Sequence, residues 1–362
     1  MTKGKGKEKN VIKVKIVGAG GYGGVGIVEL LLGHKQAEIA CLADINDVGT
    51  PISRLYPHLA GYCDLPIVAV SDSKAGAPVD VVFFATPDGV GMKSAQNELE
   101  RGSKVVDYSG DFRFNTPAAY ADYAARIGRD TVHGSAHLLP ESVYGLAELH
   151  RKDLNKKTRI VGNPGCFAVS CILGLAPAVK QGIVRLDSII CDCKTGVSGA
   201  GKKPSAAFHY PARYDHMNAY KLAGHQHVCE IEREFSLLSK QNVKITFTAQ
   251  VVPVCRGIMS TLYADLNKTI DRKALIELYK DFYNDSFFVQ VYDRDCGIGS
   301  SHVRGTNFCK LIVDLDERTK RVRIVSHIDN LLKGQAGSAL QNMNLICGLA
   351  ENEGLCHPPK YP

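Results

Sequence analysis

The 362-residue chain predicts a two-domain protein of the α/β and α+β classes, with an open parallel sheet first and a mostly antiparallel sheet second. Up to residue 165, short apolar strands alternate with helical segments, which is typical of a parallel sheet covered by helices. After residue 166, six longer strand-like runs are separated by loops, which favours antiparallel pairing. We predict a disordered basic tail at 1–10 and domains at 11–165 and 166–329.

Composition narrows the function classes. The chain is 45% hydrophobic and 22% charged, which excludes disordered and collagen-like proteins. It has no apolar run of the roughly 20 residues that a membrane span needs, and no signal peptide pattern, so we expect a cytoplasmic protein. Its twelve cysteines fit a reducing compartment. The net charge of +7 lies partly in the tail and no basic run is interleaved with aromatics, so we expect small anionic ligands and neither nucleic acid nor membrane as a partner.

The first strand, 11–17, runs into a glycine-rich turn and then an apolar helix at 25–32. Gly18, Gly20 and Gly23 satisfy the GxGxxG pattern, with Gly21 between them. A strand, a glycine loop and a helix in this order predict a Rossmann-type domain that binds dinucleotide pyrophosphate at the helix N-terminus. A tight strand-to-helix turn without a ligand is the alternative.

Two further strand ends extend this predicted coenzyme site. The second strand ends at Asp44, 26 residues after Gly18, where an acidic side chain binds the adenosine ribose of NAD. The third ends at Thr86, before a Pro-Asp-Gly turn on the edge where such sheets bind ligands. The fourth strand is followed by Arg113, which is a candidate ligand for a substrate carboxylate or a member of a structural ion pair.

The segment Asn163-Pro164-Gly165-Cys166 precedes the apolar run 167–175. Asn163 is a good N-cap and Pro164 suits the first helical position, so we predict a helix that holds Cys166 in its first turn. Asn163 is also a candidate ligand for the substrate or its phosphate. The helix dipole there is expected to lower the thiol pKa below about 8.5, which makes Cys166 a candidate nucleophile. A buried structural cysteine is the alternative.

Two segments of the second domain carry further polar chemistry. The loop 195–203, with Ser198, Gly199 and two lysines, suits a phosphate or another anion, and a plain hairpin loop is the alternative. His225 and His227 open a helix in which Glu230 lies one turn after His227, and this predicts acid/base chemistry with Glu230 orienting an imidazole. A histidine pair of the surface or core is the alternative. A metal site lacks a third ligand at suitable spacing, so no metal is predicted.

The predicted site thus combines four groups: a thiolate, an imidazole, an anion-binding loop and a nicotinamide. Together they indicate acyl transfer coupled to hydride transfer. The chain also resembles the N-acetyl-gamma-glutamyl-phosphate reductase family, in the group that contains aspartate-semialdehyde dehydrogenase. The segments that carry the resemblance are 107–113, 144–148, 162–168, 196–201, 225–230, 252–257 and 326–345.

The resemblance implies that Cys166 attacks the acyl phosphate of N-acetylglutamyl phosphate, that phosphate leaves, and that NADPH reduces the thioester to a semialdehyde, as in arginine biosynthesis. It implies that His225 and His227 handle protons, and we favour His227 as the acid/base residue with His225 in support. It also implies a second domain like that of glyceraldehyde-3-phosphate dehydrogenase, a homodimer or homotetramer, and a return of 330–362 to the first domain. Gly334 would then allow close approach to the nicotinamide.

Two positions depart from the family pattern. Asp44-Ile45 stands where the family often has Ser-Arg for the adenosine phosphate, and Asp88 stands where it often has His. We therefore expect NADP as coenzyme, with measurable use of NAD. A reductase of a carrier-bound aminoadipyl phosphate, a Cys/His hydrolase and a nucleotide-sensing protein without chemistry are the alternatives.

Overall fold

The computed structural model describes residues 11–294 and 296–359, and the predicted tail at 1–10 lies outside them. In the described part of the chain, the strands form two seven-stranded sheets. Across these residues, no helix combines the length and the apolar character that a bilayer crossing requires.

The first sheet is parallel throughout, in the order β3-β2-β1-β4-β5-β7-β6. Its strands are β1 (Ile12–Val17), β2 (Ala37–Asp44), β3 (Ile67–Ala69), β4 (Val81–Phe84), β5 (Lys104–Asp107), β6 (Ser142–Tyr144) and β7 (Ile160–Gly162). The helices between them are α1 (Tyr22–Leu32), α2 (Ile52–Leu55), α3 (Gly91–Glu100), α4 (Pro117–Arg126) and α5 (Ala147–His150). Helix α1 begins at Tyr22, earlier than the predicted Val25, because Gly23 and Gly24 are buried in its first turn despite their low helix propensity.

The second sheet is mixed, in the order β12-β13-β14-β11-β8-β10-β9. Its strands are β8 (Ile190–Thr195), β9 (Asn218–Tyr220), β10 (Thr246–Val251), β11 (Ile258–Asp265), β12 (Val289–Asp293), β13 (Cys309–Asp316) and β14 (Arg321–Ile328). Four of its neighbouring pairs are antiparallel, and only β8 with β10 and β12 with β13 are parallel in this described sheet. The prediction of a mostly antiparallel second sheet is confirmed.

One face of the second sheet is covered by helices. They are α6 (Cys166–Lys180), α8 (His227–Ser239) and α9 (Arg272–Phe282), whereas the short α7 (Tyr210–Arg213) lies in an exposed segment before β9. Helix α6 lies deepest, and almost every side chain in it is buried. It comes so close to the sheet that a Cβ on Gly174 would lie 2.2 Å from Leu262 of β11. This packing fixes the first turn of α6, where Cys166 lies.

The chain then returns to the first domain. A π-helical turn, Leu332–Ala336, leads directly into α10 (Gly337–Cys347). Ala336, Leu340 and Met343 are fully buried in the core that also holds the first strand. We therefore propose domain boundaries at 11–165 together with 330–359, and at 166–329, while the end of the predicted return, 360–362, lies outside the described residues.

Candidate active site

Cys166 is the first residue of α6, and its side chain lies between the two domains. The N-cap is Gly165, whose backbone is extended with φ −75° and ψ 148°. The helix therefore begins two residues later than the sequence indicates, and the expectation that Asn163 caps it and Pro164 opens it is wrong. Cys166 still lies at a helix start, with peptide N–H groups around its sulfur.

The thiol of Cys166 does not have a lowered pKa. Burial raises its pKa to about 11, while the backbone N–H of Phe167 and the charge of Arg113 act in the opposite direction. The predicted depression considered the helix start alone, and loss of solvation outweighs it here. Cys166 is therefore a neutral thiol that needs a base to become a nucleophile.

His227 lies against the segment that holds Cys166. A Cβ on Gly165 would lie 2.2 Å from Nε2 of His227, so only glycine allows this approach of the ring. Burial lowers the pKa of His227 well below 6.5 and that of His225 to about 3, so both rings are neutral at pH 7. The backbone N–H of His227 donates to Nδ1 of His225 at 3.3 Å, and the ring centroids are 4.8 Å apart. His227 therefore borders the residue before Cys166, and the ring of His225 packs against that of His227.

Glu230 does not orient His227, in contrast to the prediction. Its Oε1 accepts from Nη1 of Arg113 at 2.8 Å, and its Oε2 accepts from the Tyr144 hydroxyl and the Gly165 N–H, both at 2.9 Å. The carboxylate is fully buried and all its described hydrogen bonds are to these three groups. Glu230 therefore fixes the backbone immediately before Cys166, and it is a positioning residue.

Arg113 and Asn163 are both engaged within the protein. Besides Glu230, the Arg113 guanidinium donates to the carbonyl oxygens of Asn163 and Tyr108 at 2.8 and 2.6 Å. The Asn163 side chain donates to the Gln335 carbonyl at 3.0 Å and accepts from Asn342 at 3.1 Å. Both residues are buried and join the strands, α8 and the C-terminal segment around Cys166, and the expectation that they bind substrate stays a prediction.

The π-helical turn packs directly on Cys166. A Cβ on Gly334 would lie 2.6 Å from the Cys166 Cβ, so the glycine allows close approach to the cysteine itself. The neighbouring Lys333 is fully buried, and its ammonium group binds Glu148 at 2.6 Å and Gln341 at 2.9 Å. This ion pair anchors the turn, and with it one wall of the site.

The glycine loop before α1 has the geometry of a dinucleotide site. Gly18 has φ +84°, and a Cβ there would lie 2.5 Å from the Ala85 carbonyl, so the turn requires glycine. Gly21 is the N-cap of α1 and no side chain caps this helix, which leaves its N-terminus open to an anion. Beside Gly18, the Thr86 hydroxyl is buried and has no partner among the described residues. An unpaired hydroxyl next to an open helix end fits a bound coenzyme. Gly23 lies inside α1, against the side chain of Gln335.

Asp44 organises the end of β2. Its Oδ2 accepts from the Gly20 N–H at 2.9 Å, and its Oδ1 accepts from the N–H groups of Ile45 and Asn46 at 2.7 and 3.1 Å. The Asp44 carboxylate is therefore hydrogen-bonded to the backbone of the glycine loop. Asp88, in the turn after β4, accepts from the Gly110 N–H at 2.6 Å and so joins the ends of two strands.

The loop 195–203 runs from the reaction centre toward the coenzyme side. The Ser198 hydroxyl accepts from Asn330 at 2.9 Å, while Gly199 is exposed. Further along, Lys202 reaches the first domain, where its ammonium is 3.7 Å from Asp47. A cavity of about 400 Å³ lies between this loop and α1.

Sequence reasoning missed four contributors: Tyr144, Glu148, Lys333 and Asp47. Each acts through a partner distant in sequence, and no local pattern indicates that pairing. The available signals were that Tyr144, Glu148 and Lys333 lie in the segments 144–148 and 326–345 that carry the resemblance, and that Asp47 comes just after β2. In the described residues, no cluster of three or more His, Cys, Asp or Glu side chains is arranged to hold a metal ion.

Comparison with known proteins gives two family matches and close relatives. Residues 13–157 match the semialdehyde dehydrogenase NAD binding domain, and residues 166–330 match the semialdehyde dehydrogenase dimerisation domain. N-acetyl-gamma-glutamyl-phosphate reductase of Bacillus cereus (strain B4264) is 40% identical over 350 residues, which are 97% of this chain and 100% of that protein. The enzyme of the same name from Bacillus mycoides (strain KBAB4) is 40% identical over 351 residues, again 97% and 100%.

Solved structures show the same fold at low identity. Aspartate semialdehyde dehydrogenase II from Vibrio cholerae, complexed with ASA, has a TM-score of 0.69 at 16% identity and covers 93% of this chain and 98% of that one. Aspartate semialdehyde dehydrogenase with NADP from Candida albicans has a TM-score of 0.64 at 16% identity, with 94% and 99% covered.

Proposed function

The chain belongs to the N-acetyl-gamma-glutamyl-phosphate reductase family of semialdehyde dehydrogenases, and from that we propose that it reduces N-acetylglutamyl 5-phosphate to the 5-semialdehyde, with release of phosphate, in arginine biosynthesis. The observation that carries this proposal is the placement of Cys166 at the start of α6, beside His227 and facing the domain that holds the glycine loop. The relatives named above favour this reaction over the carrier-linked aminoadipyl alternative.

Cys166 forms the covalent intermediate. As its sulfur attacks the acyl carbon, His227 takes the thiol proton, which its neutral ring allows. The carbon–oxygen bond to phosphate breaks, and His227 returns the proton to the departing oxygen. The product of this step is a thioester on Cys166. Peptide N–H groups at the start of α6, such as that of Phe167, stabilise the oxyanion that develops on the acyl oxygen.

NADPH, when bound, would supply a hydride to the thioester carbon. Expulsion of the Cys166 sulfur then releases the aldehyde, and a proton from solvent restores the thiol. Gly18, Gly20, Gly21 and the N-terminus of α1 would hold the pyrophosphate, and Asp44 would lie on the adenosine side and Thr86 on the nicotinamide side of the coenzyme. We infer from the family that NADPH is preferred. We also infer that NADH is used at a measurable rate, because Asp44-Ile45 offers no cation to the adenosine phosphate of NADPH. A preference for NADP of several hundredfold would contradict this.

We infer that the protein works in the cytoplasm as a homodimer or homotetramer. All twelve cysteines are free thiols, which suits a reducing compartment. On the sheet face opposite α6, Met259 of β11 is 36% exposed, and Tyr263, Ile312 and Val325 are half-buried, which suits contact with a second copy. Light scattering on the purified protein checks the oligomeric state, and a monomer at micromolar concentration would contradict it.

The reaction is tested in the reverse direction. Purified protein is mixed with N-acetylglutamate semialdehyde and phosphate, and nicotinamide absorbance is followed with NADP and separately with NAD. Phosphate-dependent reduction of the coenzyme supports the proposal, and no reduction with either coenzyme contradicts it. Cys166→Ser is expected to lower the rate at least about a thousandfold while NADPH still binds, because a hydroxyl is a far weaker nucleophile. If this variant kept most of the activity, the covalent mechanism would be wrong.

A further inference from the structure

Lys202 crosses from the second domain to the glycine loop of the first. Its ammonium is 3.7 Å from Oδ2 of Asp47 and 5.2 Å from the centre of the Tyr56 ring. The Tyr56 hydroxyl in turn donates to the Gly20 carbonyl at 2.9 Å. Lys202 therefore lies over the loop that is proposed to hold the dinucleotide, although it belongs to a different domain.

Asp47 marks the adenosine end of that site. It follows β2, whose carboxyl end lies beside the adenosine ribose in dinucleotide-binding domains. A Cβ on Gly20 would lie 3.2 Å from Asp44 Oδ2 and 3.6 Å from Asp47 Oδ2, so both carboxylates border the same small space. The ammonium of Lys202 reaches that space from the opposite side.

The segment that follows β2 supplies no cation to this space, since residues 44–50 contain neither lysine nor arginine. The second domain does supply one, because the ammonium of Lys202 is 3.7 Å from Asp47. Lys202 and Lys203 also line the cavity between the loop and α1, together with Tyr22 and Tyr56. Lys202 is therefore the lysine that a coenzyme phosphate beside Asp47 would meet.

We propose that Lys202 is a coenzyme-specificity residue whose ammonium binds the 2′-phosphate of NADPH. This inference rests on the proposed use of NADPH. The pair of Lys202 with Asp47 is weak, since the two side chains are 38% and 40% exposed and their charges are screened by water. A phosphate dianion forms stronger charge-assisted hydrogen bonds, so Lys202 exchanges Asp47 for the phosphate when NADPH binds. The pyrophosphate is proposed to bind at the N-terminus of α1. The 2′-phosphate is then the coenzyme group for which residues 44–50 provide no cation.

The test measures binding and needs no turnover. Dissociation constants for NADPH and NADH are measured by nicotinamide fluorescence, and those for 2′,5′-ADP and 5′-AMP by calorimetry. For Lys202→Met, NADPH and 2′,5′-ADP are expected to bind about tenfold more weakly, as for loss of one charged hydrogen bond. NADH and 5′-AMP are expected to be unchanged. Lys202→Arg keeps the charge and is expected to retain the selectivity.

Lys157→Met is the matched control. Lys157 is an exposed lysine before β7, at the amino ends of the parallel strands and so at the edge of the sheet away from the coenzyme. It is expected to leave all four constants unchanged.

Equal weakening of NADPH and NADH in Lys202→Met would overturn the assignment to the 2′-phosphate. No change with any ligand would overturn it too, because Lys202 would then bind only Asp47. Neither result depends on an acyl phosphate substrate, so failure of this inference and failure of the proposed reaction are separately visible.

Discussion

Among the ion pairs that join the two domains, Arg113 with Glu230 and Lys202 with Asp47 differ mainly in their access to water. Arg113 and Glu230 meet at 2.8 Å with side-chain exposures of 8% and 0%, whereas Lys202 and Asp47 meet at 3.7 Å with exposures of 38% and 40%. A buried pair is costly to break, because the remaining charge is left without water or a partner. An exposed pair is exchanged easily. The first therefore fixes the reaction centre, and the second is available to a ligand.

The largest effect is expected from breaking the buried pair. Glu230→Gln keeps the shape of the side chain but leaves the Arg113 charge uncompensated and weakens the bond to the Gly165 N–H. We expect a loss of about 3 kcal/mol in the free energy of unfolding, measured by urea denaturation.

Glu277→Gln, in α9, is the control for this change. Glu277 pairs with Lys280 at 2.8 Å and the two side chains are 52% and 50% exposed, so the loss is expected to stay below about 1 kcal/mol. Equal losses in the two variants would mean that burial does not distinguish the pairs.

A smaller effect is expected from disturbing Cys166 without touching either ion pair. Gly334→Ala places a methyl carbon at a position 2.6 Å from the Cys166 Cβ, so the cysteine or the π-helical turn must shift. Displacement of a reacting group by about 1 Å lowers kcat about a hundredfold. Steady-state kinetics checks this. Gly299→Ala, where an added Cβ has nothing within 4 Å, is expected to keep the wild-type rate.

Burial at the reaction centre also sets how Cys166 responds to pH. Because burial raises its pKa to about 11, the thiolate fraction and the rate of alkylation by iodoacetamide are expected to rise about tenfold per pH unit from pH 7 to 10. Peptide mapping of Cys166 follows the rate, and Cys166→Ser gives the background from the exposed Cys255, Cys296 and Cys356. A plateau above pH 7 would instead show a thiolate at neutral pH.

The sequence could predict features that depend on neighbouring residues, but not those that depend on contacts between the two domains. The glycine loop, Cys166 at a helix start and the two histidines follow from patterns within a few residues, and the strand runs predict both sheets because strand periodicity is local. The partners of Glu230 could not be predicted, since Arg113 is 117 residues away. The sign of the Cys166 pKa shift was wrong for the same reason, because desolvation depends on packing from both domains while the helix dipole is local.

The smallest effect on stability is expected at the exposed pair. Asp47→Asn removes the charge that faces Lys202, and asparagine tolerates the left-handed backbone at this position, where φ is +56°. The free energy of unfolding is expected to change by less than about 0.5 kcal/mol. Binding of NADPH is expected to tighten about two- to fivefold, because Lys202 is released and a negative charge near the phosphate is removed. NADH, which lacks that phosphate, is expected to bind as before, so tightening of both coenzymes alike would show that Asp47 opposes a group they share.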